Sequence, residues 1–243
     1  MEQRISGNTA TKTLKLLALL FMCFDHFGKM VFPSVPEMRI VGRIAFPLYC
    51  WCLVVGVEYT RSIPKYLLRM LITGIISQPL YMIALNHTLA EPNIFLTLVI
   101  ALLGLWGMKE KKWGSQWWAP VLTLFLAALT NANYGFRGVL IVYLLYMVRN
   151  SRPGIAAVMI AYCLGWGATS SQVTSLFGLP LKWMTSGTLG TVVSPWLRLQ
   201  SLAILALPLM LIRMPEKVKM PGWAGYVLYP AHLLVLYAVE QIF

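Results

Sequence analysis

An all-α, polytopic bundle of membrane-spanning helices is the fold class the sequence predicts, and three observations carry that expectation. Hydrophobic residues make up 58% of the 243 and charged residues 12%, whereas a soluble domain is about 45 to 50% apolar and about 25% charged. Mean hydropathy is +0.70. Apolar runs recur from Lys15 to Phe243, separated only by short basic or Pro/Gly-rich punctuation. No polar stretch is long enough to fold separately, so residues 1-243 read as a single domain.

A span needs about 20 mostly apolar residues, fewer where the protein shelters a short or broken helix. The runs 13-33, 39-60, 65-85, 93-108, 114-131, 134-149, 153-169, 197-212 and 223-242 meet that description, which makes nine transmembrane helices. The first has a basic flank, Arg4 and Lys12, but continues past Asp25 without a small-residue cleavage site, so it reads as a retained span. The second opens with Arg39 and Arg43 and closes at Glu58 and Arg61; the third carries Gln78, and the fourth starts at Asn93. "WGSQWW", 113-118, at the head of the fifth, resembles an interfacial aromatic belt. "NANYGFRG", 131-138, with Tyr134 inside it, reads as a turn before the sixth. Residues 170-195, after the seventh, are rich in Ser, Thr, Gly and Pro and read as an extracytoplasmic or re-entrant segment; a crossing there would make ten spans. The last run bends at Pro230, two residues before His232.

The formal net charge is +12, yet Lys and Arg fall in short clusters between apolar runs, which points to membrane topology and not to nucleic acid. Sorted by alternate connections, fourteen of the twenty basic residues share one side, among them Lys12, Lys15, Arg61, Lys109, Arg149 and Arg213. Six, Lys29, Arg39, Arg43, Arg137, Lys182 and Arg198, take the other. The bias predicts a cytoplasmic N-terminus and an external C-terminus. Cys23, Cys50, Cys52 and Cys163 all lie inside apolar runs, where cysteine acts as a small hydrophobe, so neither a disulfide framework nor a metal site is expected.

An ionisable side chain at a helix centre costs roughly 2.5 to 3.5 kcal/mol on insertion scales, so each needs a partner, a wet cavity or a function. "FDHFGK" puts Asp25, His26 and Lys29 in the outer half of the first span. Lys15 and His26 lie eleven residues apart, which leaves them about 20° apart around a helix and about 16 Å apart along it. His26 is a candidate general base, since unperturbed imidazole titrates near pH 6.5; an ion relay or a packing contact is the alternative. Asp25 could orient it, or pair with Lys29 at i+4. Arg39 and Arg43, also at i and i+4, present a fork suited to phosphate or carboxylate, or snorkel at the interface. Gln78 and Asn93 add polar groups towards the same side, and His87 reads as solvated in its loop.

Taken in order, "KLLALLFMCFDHF", "RIVGRIAFPLY", "YTRSIPKYLLRM", "SQPLY", "NIFLTL", "YGFRGVL", "LQSLAILALPLML" and "YVLYPAHLLVLY" resemble the TraX family of membrane proteins, related to the type-3 membrane acyltransferase superfamily. The resemblance runs from about Lys15 to Tyr237. It implies a multi-pass protein of the bacterial inner membrane that moves an acetyl or short acyl group from acetyl-CoA to an extracytoplasmic amine or hydroxyl. An exported peptide N-terminus or a surface glycan would be the acceptor, with membrane lipid as the surroundings. The superfamily's basic residue, ten-residue gap and histidine in the first helix match Lys15 and His26, with Lys in place of the commoner Arg. His26 is then the base, tuned by Asp25, with Arg43 stabilising the oxyanion. Lys15, Arg39, Gln78, Asn93, Tyr134 and His232 would bind substrates, Lys15 marking the entry of CoA. A competing expectation is a proton-coupled transporter with a relay through Asp25, His26, Glu58 and His232.

Overall fold

The computed structural model describes residues 5–242, so the expectations that touch Arg4 and Phe243 lie outside the described residues. It is all-α apart from one small hairpin. The helices are α1 (Thr11–Met30), α2 (Pro36–Gly42), α3 (Ala45–Tyr59), α4 (Ile63–Leu85), α5 (Ile94–Glu110), α6 (Ser115–Leu129), α7 (Gly135–Met147) and α8 (Arg152–Gly167). The hairpin pairs β1 (Ser175–Leu176) with β2 (Leu179–Pro180) and is followed by α9 (Lys182–Thr185) and α10 (Gly187–Val193). A 3-10 turn, Ser201–Ala206, leads into α11 (Leu207–Leu211), and α12 (Ala224–Glu240) closes the described chain.

Helices α3 and α5 form the centre. Leu48, Cys50, Trp51, Val54 and Val57 on α3, and Ala101, Leu102 and Leu105 on α5, are all buried. Trp51 donates its indole N–H to the Asn8 carbonyl at 2.7 Å, which ties the chain start to this core. The second predicted span is broken after Gly42, and the sequence supplies the reason: Pro47 has no N–H to return to the Arg43 carbonyl. Its two pieces together, Pro36–Tyr59, and the helix Ile63–Leu85 are the two helices long and apolar enough to cross a membrane among the described residues. The other seven predicted spans yield helices that are shorter or more charged, and the eighth is a 3-10 turn followed by five α-helical residues.

Helix α4 is patterned inside out. Leu68, Ile72, Ile75, Ile76 and Ile83 lie on its exposed side, while Thr73 and Ser77 are buried. Those two hydroxyls return to their own helix, Thr73 to the Arg69 carbonyl at 2.8 Å and Ser77 to the Thr73 carbonyl at 2.6 Å. Helices α6 and α12 show outward apolar faces too, with Val121, Leu122 and Phe125 on one and Leu234 and Val235 on the other. Water penalises such broad apolar faces and hydrocarbon does not.

The chain runs back and forth between two chemically distinct ends. At one, the Arg149 carbonyl accepts the Ser6 amide at 2.9 Å, Arg152 bonds the Ser6 carbonyl at 3.1 Å and Arg213 bonds that of Ile5 at 3.0 Å. Glu216 accepts the free amides of Lys12 at 2.7 Å and Thr13 at 3.2 Å, capping α1 from a distant loop. Lys109 donates to the carbonyls of Val57 and Glu58, and the Glu58 carboxylate holds Arg149 Nε at 3.1 Å. Basic clusters assigned to one side from sequence therefore meet. At the other end sit Arg39, Arg43, Arg137 and Arg198. Residues 170-195 leave and return there, since Leu199 bonds back to the Ser171 carbonyl and Val173 to that of Leu197, both within 2.9 Å. This segment packs Val173 and Leu181 on Ile40 of α2.

Glu58 and Arg149 are mostly buried, and removing one partner of such a pair strands the other charge. Glu58→Ala is expected to lower stability by about 3 kcal/mol in a denaturant titration of the detergent-solubilised protein. An unchanged midpoint would show that the pair carries no stability.

Candidate functional site

The i, i+4 spacing of Arg39 and Arg43 brings both guanidinium groups to one carboxylate. Arg39 Nε meets Asp25 Oδ1 at 2.9 Å, and Arg43 pairs with the same oxygen. The approach depends on Gly42, because a Cβ there would sit 2.2 Å from the Asp25 Cβ. Arg43 Nε is a buried donor with no acceptor among the described residues.

One residue along α1, His26 meets the last helix. His26 Nδ1 lies 3.4 Å from His232 Nε2, with the two rings inclined by only 16°. His232 Nδ1 is hydrogen-bonded in turn to the Tyr229 carbonyl. His26 and Asp25 line a small cavity of about 40 Å³ together with Met22, Tyr49, Tyr81, Asn133, Tyr134 and Tyr229. Tyr134 reaches it from the turn before α7, its ring stacked on Phe46 with centroids 3.7 Å apart. Asn133 donates to the Tyr81 hydroxyl at 3.0 Å.

A second cleft, of about 100 Å³, opens at the Lys12 end of the bundle. Lys12 and Lys15 stand with Tyr66, Met220, Gly222, Gly225 and Tyr226 around it. Tyr49, Ile94 and Tyr229 line both the cleft and the His26 cavity, so three side chains form the partition between them.

A family model described as "TraX protein" matches residues 10–240. The chain belongs to the TraX family. It is similar to a probable fimbrial assembly protein FimC, serogroup H1, of Dichelobacter nodosus, at 34% identity over 62% of this chain and 66% of that one. It is also similar to Protein TraX of Escherichia coli, at 29% identity over 72% of each chain. The alignment thus spans slightly under two thirds of the length of the fimbrial-assembly relative. No solved structure matches.

In this TraX-family chain, Asp25, His26, Arg39, Arg43, Tyr134 and His232 come together, and four expectations need correction. Among the described residues Asp25 is bonded to the two arginines, in place of Lys29 or His26; a helix turns about 100° between neighbouring residues, which carries His26 to another face. His232 stands behind His26, outside the cavity lining, and Arg43 lies beside that lining with its neighbour Gly42 in it. Gln78 and Asn93 are not at the cavity. Gln78 Oε1 accepts the Asn93 amide at 2.9 Å, while the Asn93 side chain caps α5 through the Phe95 amide at 3.0 Å and bonds the Gly74 carbonyl at 2.8 Å. His87 is not freely solvated: it stacks on Tyr81 at 4.7 Å and meets Glu91 at 3.3 Å. The Thr88 amide, and then His87, hold the Glu91 carboxyl below the usual carboxylate range.

Sequence reading missed Tyr49, Tyr81, Asn133 and Tyr229 as cavity walls. Tyr81, Asn133 and Tyr229 fall in or beside "SQPLY", "NANYGFRG" and "YVLYPAHLLVLY", so their signal was local but carried no mark of pairing.

Asp25→Ala leaves Arg43 buried without its carboxylate and is expected to cost about 3 to 5 kcal/mol of stability in the denaturant titration. Asp25→Ala combined with Arg43→Ala should be more stable than Asp25→Ala alone. If the single variant matched the parent, the ion cluster would not be holding α2 to α1.

Proposed function

We propose that the protein is an integral membrane acyltransferase that moves an acetyl or short acyl group from acetyl-CoA to an extracytoplasmic amine or hydroxyl. The observation that carries this reading is a histidine, His26, backed by a second imidazole and lining a cavity beside a net-positive ion cluster. An exported peptide N-terminus or a surface glycan would be the acceptor, and the relative named for fimbrial assembly favours an exported filament subunit.

In this mechanism the amine or hydroxyl attacks the thioester carbonyl carbon, forming the new N–C or O–C bond while His26 takes the proton. Arg43, beside the cavity wall at Gly42, stabilises the tetrahedral oxyanion through the field of the ion cluster, in which the two guanidinium groups of Arg39 and Arg43 exceed the single Asp25 carboxylate by one charge. Collapse breaks the C–S bond, and His26 returns the proton to the leaving thiolate to give CoA. The cleft at the Lys12 end is the donor's route: Lys12 and Lys15 would meet CoA phosphates, and the apolar wall would take the pantetheine arm. The nine-span topology belongs to this reading, with the Lys12 end cytoplasmic and the Arg39 end outside. Glu58 sits with Arg149 at the end opposite Asp25, which leaves the relay of a proton-coupled transporter without a continuous path.

In sealed right-side-out vesicles, labelled acetyl-CoA trapped in the lumen should acetylate an external envelope fraction, whereas external acetyl-CoA alone should not. Transfer with both substrates supplied only outside would rule the geometry out. His26→Ala should lower the rate about 10² to 10⁴-fold at equal protein level; full activity in that variant would remove His26 as the base.

A further inference from the structure

We infer that His232 is a positioning residue that fixes the tautomer of His26, so that Nε2 of His26 is the nitrogen that accepts the substrate proton. The inference rests on the reading of His26 as general base and adds which atom acts and what holds it.

The hydrogen positions follow from one end of the chain of contacts. The Tyr229 carbonyl can only accept, so the His232 nitrogen bonded to it, Nδ1, carries a hydrogen. A neutral imidazole has one N–H, so His232 Nε2 then presents a lone pair. That lone pair lies 3.4 Å from His26 Nδ1, and the 16° between the rings lets the two nitrogens approach close to edge-on. His26 Nδ1 must therefore be the donor. Its own single N–H is spent, and Nε2 is left unprotonated on a ring that lines the cavity.

The surroundings support neutral rings. The one carboxylate adjacent in sequence, Asp25, is bonded to Arg39 and Arg43. On its far side His232 borders an apolar groove with Leu20, Phe24, Phe27, Leu228 and Val235, where nothing charged could compensate an imidazolium. When His26 takes a proton at Nε2, its Nδ1–H bond to His232 becomes charge-assisted and stronger. His232 thus gives the orienting contact that a carboxylate gives in a serine-protease triad, from a neutral acceptor suited to an apolar interior. Because His232 does not line the cavity, it works through His26 and not on the substrate.

The chain has three histidines, which makes the test direct. Protein carrying ¹⁵N-labelled histidine rings, in detergent micelles, would be examined by long-range ¹H–¹⁵N correlation, with His87→Ala and His26→Ala for assignment. Both His26 and His232 are expected as the Nδ1–H tautomer. His232→Leu should leave His26 as a mixture of tautomers, and His232→Gln, whose amide oxygen can replace Nε2 as acceptor, should restore the single form. In the vesicle assay with labelled acetyl-CoA and an envelope fraction, His232→Leu should lower kcat about 10²-fold with KM for acetyl-CoA unchanged. His232→Gln should stay within about tenfold of the parent. An Nε2–H tautomer for His26 in the parent protein would overturn the assignment, as would equal activity of the Leu and Gln variants where the parent transfers the acetyl group. The expected tautomers in a protein that transfers no acetyl group would uphold the assignment and overturn the acyltransferase reading instead.

Discussion

Asp25 between Arg39 and Arg43 is the contact on which the rest of the site depends. A carboxylate in an apolar helix is costly alone, and two guanidinium groups side by side repel; gathered on one oxygen, they offset most of both penalties. The contact requires α2 to lie against α1 at Gly42, where a hydrogen is all the space allows. That seam sets where α3 begins. It brings Phe46 under Tyr134 and Gly42 and Ala45 to the cavity wall, facing His26.

Charge is handled differently at the two ends of the bundle and along its middle. At the Lys12 end, cations are satisfied by loop and helix-end carbonyls and by Glu58, while Glu216 takes free amides at the start of α1, so each ties one connection to another. Along α4, Thr73 and Ser77 need no partner from another helix, since both bond within their own. The Arg39 end differs because its cluster keeps a surplus positive charge and the unpartnered Arg43 Nε. In a low-dielectric interior such a surplus interacts strongly with any anion that forms nearby, which is what the proposed acyl transfer would require of an oxyanion site.

Much of this was legible in the sequence, for physical reasons that can be named. Composition and the recurrence of apolar runs announced an all-helical chain, because a long apolar run must satisfy its backbone hydrogen bonds internally. The i, i+4 arginines declared a shared face, since helix geometry is local. The basic clusters foretold which connections meet. Gln78 and Asn93 misled for the same reason that made them visible: a polar side chain serves a neighbouring backbone group as readily as a substrate, and here both bond to backbone. His87 looked solvated because no sequence rule says that Tyr81 will stack on it.

The sequence by itself determined the helical class, the segregation of charge to the ends and the presence of an ionisable group pair at Asp25 and His26. All three depend on composition and on spacings within about one helical turn. Only the tertiary structure decided partners. That Asp25 turns to α2 while His26 turns to His232, 206 residues away, follows from how α1, α2 and α12 pack. So does the partition of Tyr49, Ile94 and Tyr229 between two cavities, whose walls come from three helices. Spacing along one helix fixes directions around its own axis, and contacts between helices depend on how the axes cross, which no single run of residues encodes.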